Sequence, residues 1–195
     1  MTLQNLATTF AKCGSNSNEL LKALKGAFLK RVNEFDAQGL SAFSWAFQKL
    51  QPGQNIDLML ASSEALCAMG AGKAPASSLT QSLLAMATLL VAPNAKPSRL
   101  YSKFRPAVRQ LLDECGRALA SFDVLQIATT TSSLAKMVGC VGLFQGYEEG
   151  WHAQRMRFAK GLKAGLLKGL AQFQAQDLAI VLWGLGRIYG SGACF

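Results

Sequence analysis

The chain holds one histidine, His152, at the head of the segment WHAQRMRFAKGLKAGLLKGLAQF. An imidazole works as a general base or a metal ligand when a carboxylate, a thiolate or a second imidazole stands at ligand spacing from it. None does here, so His152 reads as a surface or phosphate-contacting residue. GAGKA, residues 70–74, ends like a phosphate-binding loop, but Ala74 stands where Ser or Thr must hold magnesium and Cys67 where the first Gly belongs. GLGRIYG, residues 184–190, follows a helical pattern instead of a strand, so the dinucleotide fingerprint fails. Glu148 and Glu149 are adjacent, point to different sides of any helix, and have no matching acid nearby. The five cysteines, Cys13, Cys67, Cys115, Cys140 and Cys194, form no CxxC pair. Their odd number argues against a disulfide framework and points to a reducing compartment. We expect no catalysis, no metal and no cofactor.

The residues best suited to binding are cations. No acid lies between Glu149 and Asp177, a stretch that contains Arg155, Arg157, Lys160, Lys163 and Lys168. At about 100° per residue, Arg157, Lys160, Lys163 and Lys168 fall opposite a stripe of Trp151, Phe158, Leu162, Leu166 and Phe173. Such a face is either simply solvated or meets phosphate. Like charges with no Glu partner at i±4 repel one another, and solubility does not require them, which makes the segment a candidate phosphate contact. Two smaller clusters accompany it: Lys22, Lys25, Lys30 and Arg31, then Arg99, Lys103, Arg105 and Arg109. Helices placed side by side would merge the clusters into one positive strip, the footprint of backbone binding to RNA. Base readout is expected from Ser41, Ser44 and Gln48, with no assignable code.

The elements that must position these cations follow from composition and pattern. A chain of 195 residues can hold one domain or a short array of repeated units. Half the residues are hydrophobic and 16% are charged, which excludes a disordered chain, and the net charge of +9 favours an anionic partner such as RNA, DNA or acidic lipid. The longest apolar runs, LLAMATLLVA and LAIVLWGLG, stop short of the ~20 residues that cross a bilayer, so no membrane span is expected. At the N-terminus, Leu3, Leu6 and Phe10 fall at helical spacing, and a helix is expected there in place of a signal segment.

One sixteen-residue phrase occurs twice with high similarity, FDAQGLSAFSWAFQKL from Phe35 and FQAQDLAIVLWGLGRI from Phe173. Weaker copies begin at Ala74 (APASSLTQSLLAMATL) and Phe122 (FDVLQIATTTSSLAKM), and a partial one opens the chain, Gln4 and Leu6 echoing Gln38 and Leu40. Position six is Leu40, Leu79, Ile127 and Leu178; position twelve is always small, Ala46, Ala85, Ser133 and Gly184. Within the phrase, Leu40, Phe43, Phe47 and Leu50 line one helix face, as do Leu178, Leu182 and Leu185. The second kind of segment, between phrases, is also helical, with Leu21, Leu24, Phe28 and Val32 as one stripe. Glycine- and proline-bearing stretches such as QPGQN and GAGKAPASS separate the two kinds. IATTTSS is the nearest thing to a strand, but its register with three helical copies makes it a poor helix. The expectation is an all-α chain, one domain over residues 1–195, built as an α-solenoid of four to five stacked hairpins with units starting near 1, 35, 74, 122 and 173. Hairpins restate the same apolar positions because each must shelter its neighbour's face. Trp45 and Trp183 are expected to pack, and the small residue after each lets the next helix come close.

The pattern Phe-x-x-Gln-x-Leu-x-x-x-x-Trp-Ala-x-x-x-Leu, carried by Phe35, Gln38, Leu40, Trp45, Ala46 and Leu50 and again by Phe173, Gln176, Leu178 and Trp183 with Gly184 for Ala, resembles the octotricopeptide repeats of green algal organelle proteins. It is also similar to the heptatricopeptide and FAST-kinase-like helical repeats often found with a RAP domain. The resemblance implies an α-solenoid that binds organelle RNA, acts in its maturation or translation, or serves a mitochondrial ribosome. No RAP domain is visible, so its nuclease-like activity is not expected, and four to five units suit a short structural contact. The functional expectation is a non-catalytic subunit of a mitochondrial ribosome that contacts rRNA beside other proteins of the assembly, with the plastid as the alternative organelle and a protein-binding scaffold as the alternative role.

Overall fold

The structure, a computed structural model, describes residues 3–14, 17–70, 72–92, 97–140 and 148–190; within these, the side chains of residues 4, 97–100, 148, 149 and 151 lie outside the description. Among the described residues there are nine α-helices and no strand. In chain order they are α1 (Leu3–Cys13), α2 (Asn18–Lys30), α3 (Ala37–Leu50), α4 (Ile56–Ala68), α5 (Ala76–Leu90), α6 (Pro97–Ala118), α7 (Val124–Val138), α8 (Glu148–Lys168) and α9 (Ala175–Gly190). The phrase of the sequence is α3, α5, α7 and α9; the intervening segments are α2, α4, α6 and α8.

Local chemistry starts and stops these helices. Asp36, at position two of the phrase, accepts the Gly39 N–H at 2.7 Å. Asp123 does the same for Gln126 at 2.8 Å, and the Gln126 side chain accepts the Asp123 N–H at 3.0 Å, closing a capping box. Each such cap stabilises its helix by about 1 kcal/mol. A single 3₁₀ turn leads into the phrase three times, at Val32–Glu34, Leu119–Ser121 and Leu170–Gln172. The turns between α3 and α4 and between α4 and α5 use left-handed backbone at Gly53, Asn55, Gly70 and Gly72. IATTTSS lies within α7, where Thr131 donates to the Ile127 carbonyl at 2.7 Å and Ser133 to the Thr129 carbonyl at 2.8 Å. These bonds return two of the run's hydroxyls to carbonyls of their own helix, so the segment is accommodated as helix by its packing in spite of its low propensity.

The phrase helices pack on one another in sequence order, α1 on α3, α3 on α5, α5 on α7 and α7 on α9, while α2 meets α4, α4 meets α6, and α6 meets α8. The core lies between these two rows. Phe28 of α2 stacks on Phe43 of α3 at 4.3 Å between centroids, Phe43 on Phe47 at 5.0 Å, and Phe35 tilts onto Phe28 at 4.9 Å. Each aromatic pair contributes about 0.5–1.5 kcal/mol beyond its area. Further along, Leu79, Leu83, Met86 and Leu89 of α5 and Phe104, Val108 and Leu111 of α6 continue the same buried seam.

Each phrase helix has two flanks, and one contact shows how they mesh. A Cβ on Gly184 of α9 would lie 2.6 Å from Thr131 Cγ2 and 3.1 Å from the Thr131 carbonyl oxygen of α7. Position twelve of one copy therefore sits against position ten of the copy before it, and only a small residue fits. Position ten is buried in the first three copies, at Ser44, Leu83 and Thr131, but Leu182 of the last copy is 62% exposed. This corrects the expectation that Leu182 belongs to a buried face: its flank points to where a following helix would lie. Trp183 also departs from expectation at 48% exposure, whereas Trp45 is half-buried against the core.

Candidate nucleic-acid interface

Helix α8 carries the densest charge. Phe158, Leu162 and Leu166 are buried, which fixes its roll, and Arg157, Lys160, Lys163 and Lys168 are exposed on the remaining surface. No carboxylate among the described residues lies in ion-pair contact with these four. Two glycines let the helix sit close. A Cβ on Gly161 would come within 2.3 Å of Leu119 Cδ2, and one on Gly165 within 2.9 Å of Ile127 Cδ1.

Helix α6 contributes a second group beside the first. Lys103 and Arg109 are exposed and Arg105 is half-buried; the side chain of Arg99 lies outside the described residues, as does that of Trp151. The Gln154 amide of α8 donates to the Arg109 carbonyl at 3.3 Å and to the Asp113 carboxylate, tying the two helices together. A Cβ on Gly150 would lie 4.0 Å from Arg109 Nη2. Gly150 and Arg157 share one helix face two turns apart, so Arg109 and Arg157 lie toward the same side.

Arg155 is different from its neighbours. It is 8% exposed, and its Nη2 lies 3.2 Å from His152 Nδ1. Burial pulls its pKa below the usual guanidinium value. Position explains this: residues 151, 155, 158, 162 and 166 form one helical stripe, and Arg155 stands on the apolar side. It is no part of an exposed phosphate-binding face.

The basic strip expected along every second-type helix is interrupted. Helix α4 has no Lys or Arg and exposes Asp57 and Glu64. The α2 cluster is partly neutralised: Lys25 pairs with Asp57 at 2.6 Å, and Arg31 with Glu34 at 2.6 Å. Hydrogen bonding in the second pair raises the Arg31 pKa and lowers that of Glu34. Only Lys22 and Lys30 of that cluster remain exposed without such a pair. Arg109 of α6 and the exposed cations of α8 thus form one region, while Lys103 lies about 120° round α6 from Arg109 and the α2 cations stand apart.

The positions expected to read bases are enclosed. Ser41, Ser44 and Gln48 are all buried. Ser41 donates to the Gln38 carbonyl at 3.1 Å, and Ser44 donates to Ser62 Oγ of α4 at 2.8 Å, which in turn donates to the Leu40 carbonyl at 3.1 Å. Neither end of the Gln48 amide is hydrogen-bonded to a described residue. The Ser44–Ser62 pair ties α3 to α4. The outward face of the phrase instead presents a pattern not anticipated from the sequence. Lys49 Nζ lies 5.3 Å from the Trp45 ring centroid, and the Arg187 guanidinium lies 5.4 Å from that of Trp183. Position fifteen is cationic in three copies, Lys49, Lys136 and Arg187, and that recurrence four residues after the Trp was the available signal. Beside Trp183, a shallow cleft of about 480 Å³ is lined by Val138, Gly139, Gly186, Arg187 and Gly190.

A second cleft, of about 420 Å³, lies between α4 and α6 and has the opposite character, with Glu64, Asp113, Glu114 and Arg117 around Cys67. Burial pushes the Cys67 thiol up to about 11, so it stays protonated at neutral pH and is a poor nucleophile. Glu114 accepts from Arg117 at 2.5 Å and from the Gly72 N–H at 3.3 Å. That amide belongs to the GAGKA turn, and it is already bound to a carboxylate. Among the described residues no group of three His, Cys, Asp or Glu side chains could hold a metal ion, and no helix is long and apolar enough to cross a membrane. No protein family, curated protein or solved structure matches the chain.

Proposed function

We propose that the chain is a short α-solenoid that binds RNA through its phosphate backbone, without catalysis, as a structural component of an organelle ribonucleoprotein, in particular a mitochondrial ribosome. The observation that carries the reading is the exposed set Arg109, Arg157, Lys160, Lys163 and Lys168 on two adjoining helices, with no ion-paired carboxylate among the described residues. Unpaired like charges repel and weaken a fold, so their retention on one face is accounted for by a polyanion that neutralises them. The solenoid reading is supported by the order of helix contacts and by the meshing of position twelve with position ten. The organelle and ribosomal part rests on the likeness of the Phe–Gln–Leu–Trp phrase to organelle helical repeats.

RNA affinity across a salt series tests the reading. For single-stranded RNA, log K falls with log salt by about 0.7 per phosphate neutralised, so replacing Arg157, Lys160 and Lys163 together with Glu flattens the slope by about 2. Glu at Lys22 and Lys30 changes it less, because those residues lie off the α6–α8 face. Circular dichroism confirms that both variants stay helical. Binding that ignores salt, or a slope that the α8 variant leaves intact, rejects the RNA reading. Sedimentation of mitochondrial lysate tests the assembly: the protein is expected with ribosomal subunits, and exclusive recovery in the free fractions rejects that part.

A further inference from the structure

We infer that the flank formed by α9 and the 3₁₀ turn before it is a docking surface for one more helical hairpin of the same repeat type, with a small residue at each of its two contact points. The inference rests on the stacked-repeat reading above but not on RNA binding. Two leucines mark the surface. Leu182 holds position ten, which is buried in every preceding copy and, at Thr131, lies against Gly184 of the next phrase helix. Leu170 holds the place of Leu119 in the copy before, fifty-one residues earlier. Leu119 is covered by α8, whose Gly161 leaves room for it, whereas Leu170 is 49% exposed.

The surface spans α9 and the turn before it, and the two joints already present in the chain show what each place receives. At the α7–α9 joint, position ten receives Gly184; at the joint with α8, Leu119 receives Gly161. The same two places on the last unit, Leu182 and Leu170, call for a phrase helix with a small residue at position twelve and a companion helix with a small residue facing the turn. Around Leu182, Ala179 and Gly186 are exposed one turn to either side, although their counterparts Ala128 and Ala135 are buried. The opposite end of the stack contrasts with this. On α1, the flank away from α3 shows Asn5, Thr9 and Lys12 to solvent, the polar finish that a terminal repeat needs. The α9 flank has no such finish. A second copy docking head to tail would set that polar flank on Leu182 and leave polar groups buried against leucine.

The test extends the chain after Gly190 with a second copy of residues 139–190, which supplies the required small residues as Gly161 and Gly184. The expected result is a thermal midpoint higher by on the order of 5 °C, with Trp183 less accessible to acrylamide. Leu182→Glu should abolish both changes in the extended protein while leaving the midpoint of the original chain unmoved. An extended protein that melts with the original midpoint and keeps Trp183 equally accessible overturns the inference. So does an original chain that sediments as a dimer dissolved by Leu182→Glu, because the flank then belongs to a second copy. The salt slope for RNA is compared between the original chain and its Leu182→Glu variant, where it is expected to be nearly equal because Leu182 lies off the α8 cation face, and this separates failure here from failure of the RNA reading.

Discussion

Leu83 and Leu182 occupy the same place in the phrase, position ten, in helices of nearly equal length. One is fully buried and the other is 62% exposed. The residue type is therefore not what sets burial; the neighbouring helix is. Leu83 is enclosed because α7 packs on α5, and no described helix packs on the far side of α9. A helix carrying this phrase has two flanks, and each is buried only where another helix packs on it.

Substitution at this one position gives the largest contrast. Leu83→Ala is expected to cost about 2–5 kcal/mol in denaturant unfolding, and Leu182→Ala no more than about 0.5 kcal/mol. Equal losses would mean that the two flanks are covered alike. A smaller effect probes the meshing from the other side. Gly184→Ala should cost about 1–3 kcal/mol, because the added methyl meets both Thr131 Cγ2 and the Thr131 carbonyl. Thr131→Ser should recover part of that loss. The same substitution at Gly186, where nothing lies within 4 Å of a new Cβ, should not destabilise and provides the control.

The joint on the other row differs between units in a way that pH reveals. Glu114 ties α6 to the turn before α5, while the corresponding place in α8 is Gly165. The hydrogen bond from Arg117 holds the Glu114 carboxyl below the ordinary value, with the Gly72 N–H helping against a burial penalty. A depressed carboxyl pKa stabilises the fold above the unfolded value, and that contribution disappears as pH falls through the folded one. Glu114→Gln should thus cost about 1–2 kcal/mol at neutral pH and less in acid, flattening the acid limb of the stability curve. The smallest effect is spectroscopic. In variants retaining one tryptophan each, Trp183 emission should be redder and more readily quenched than that of Trp45.

Much of the fold was readable from spacing. The phrase located four helices, and Asp36 and Asp123 at its second position are the caps that start two of them. What spacing could not give is which flank has a neighbour, and the exposure of Leu182 follows from that. Ser41, Ser44 and Gln48 look like readout residues by polarity alone, yet Ala37, Ser41, Ser44 and Gln48 fall at helical intervals and form one buried flank, from which Ser44 bonds Ser62 of α4. In the candidate site, Arg157, Lys160, Lys163 and Lys168 were identifiable because they oppose a strong apolar stripe. Arg155 lies on that stripe, and its spacing from Phe158 and Leu162 already sets it apart from them. The interruption at α4 was also legible, since that segment contains acids and no bases.

The glycines of α8 carry a consequence for how charge is presented. Gly150, Gly161 and Gly165 each lower intrinsic helicity by about 1 kcal/mol relative to Ala, so the segment excised as a peptide would be mostly coil. Its five cations would survive the excision, but their angular order would not. The one-sided display of those cations is consequently conditional on docking: Leu119 and Ile127 wedge into the glycine gaps, and that seating is what turns a count of positive residues into a surface with direction.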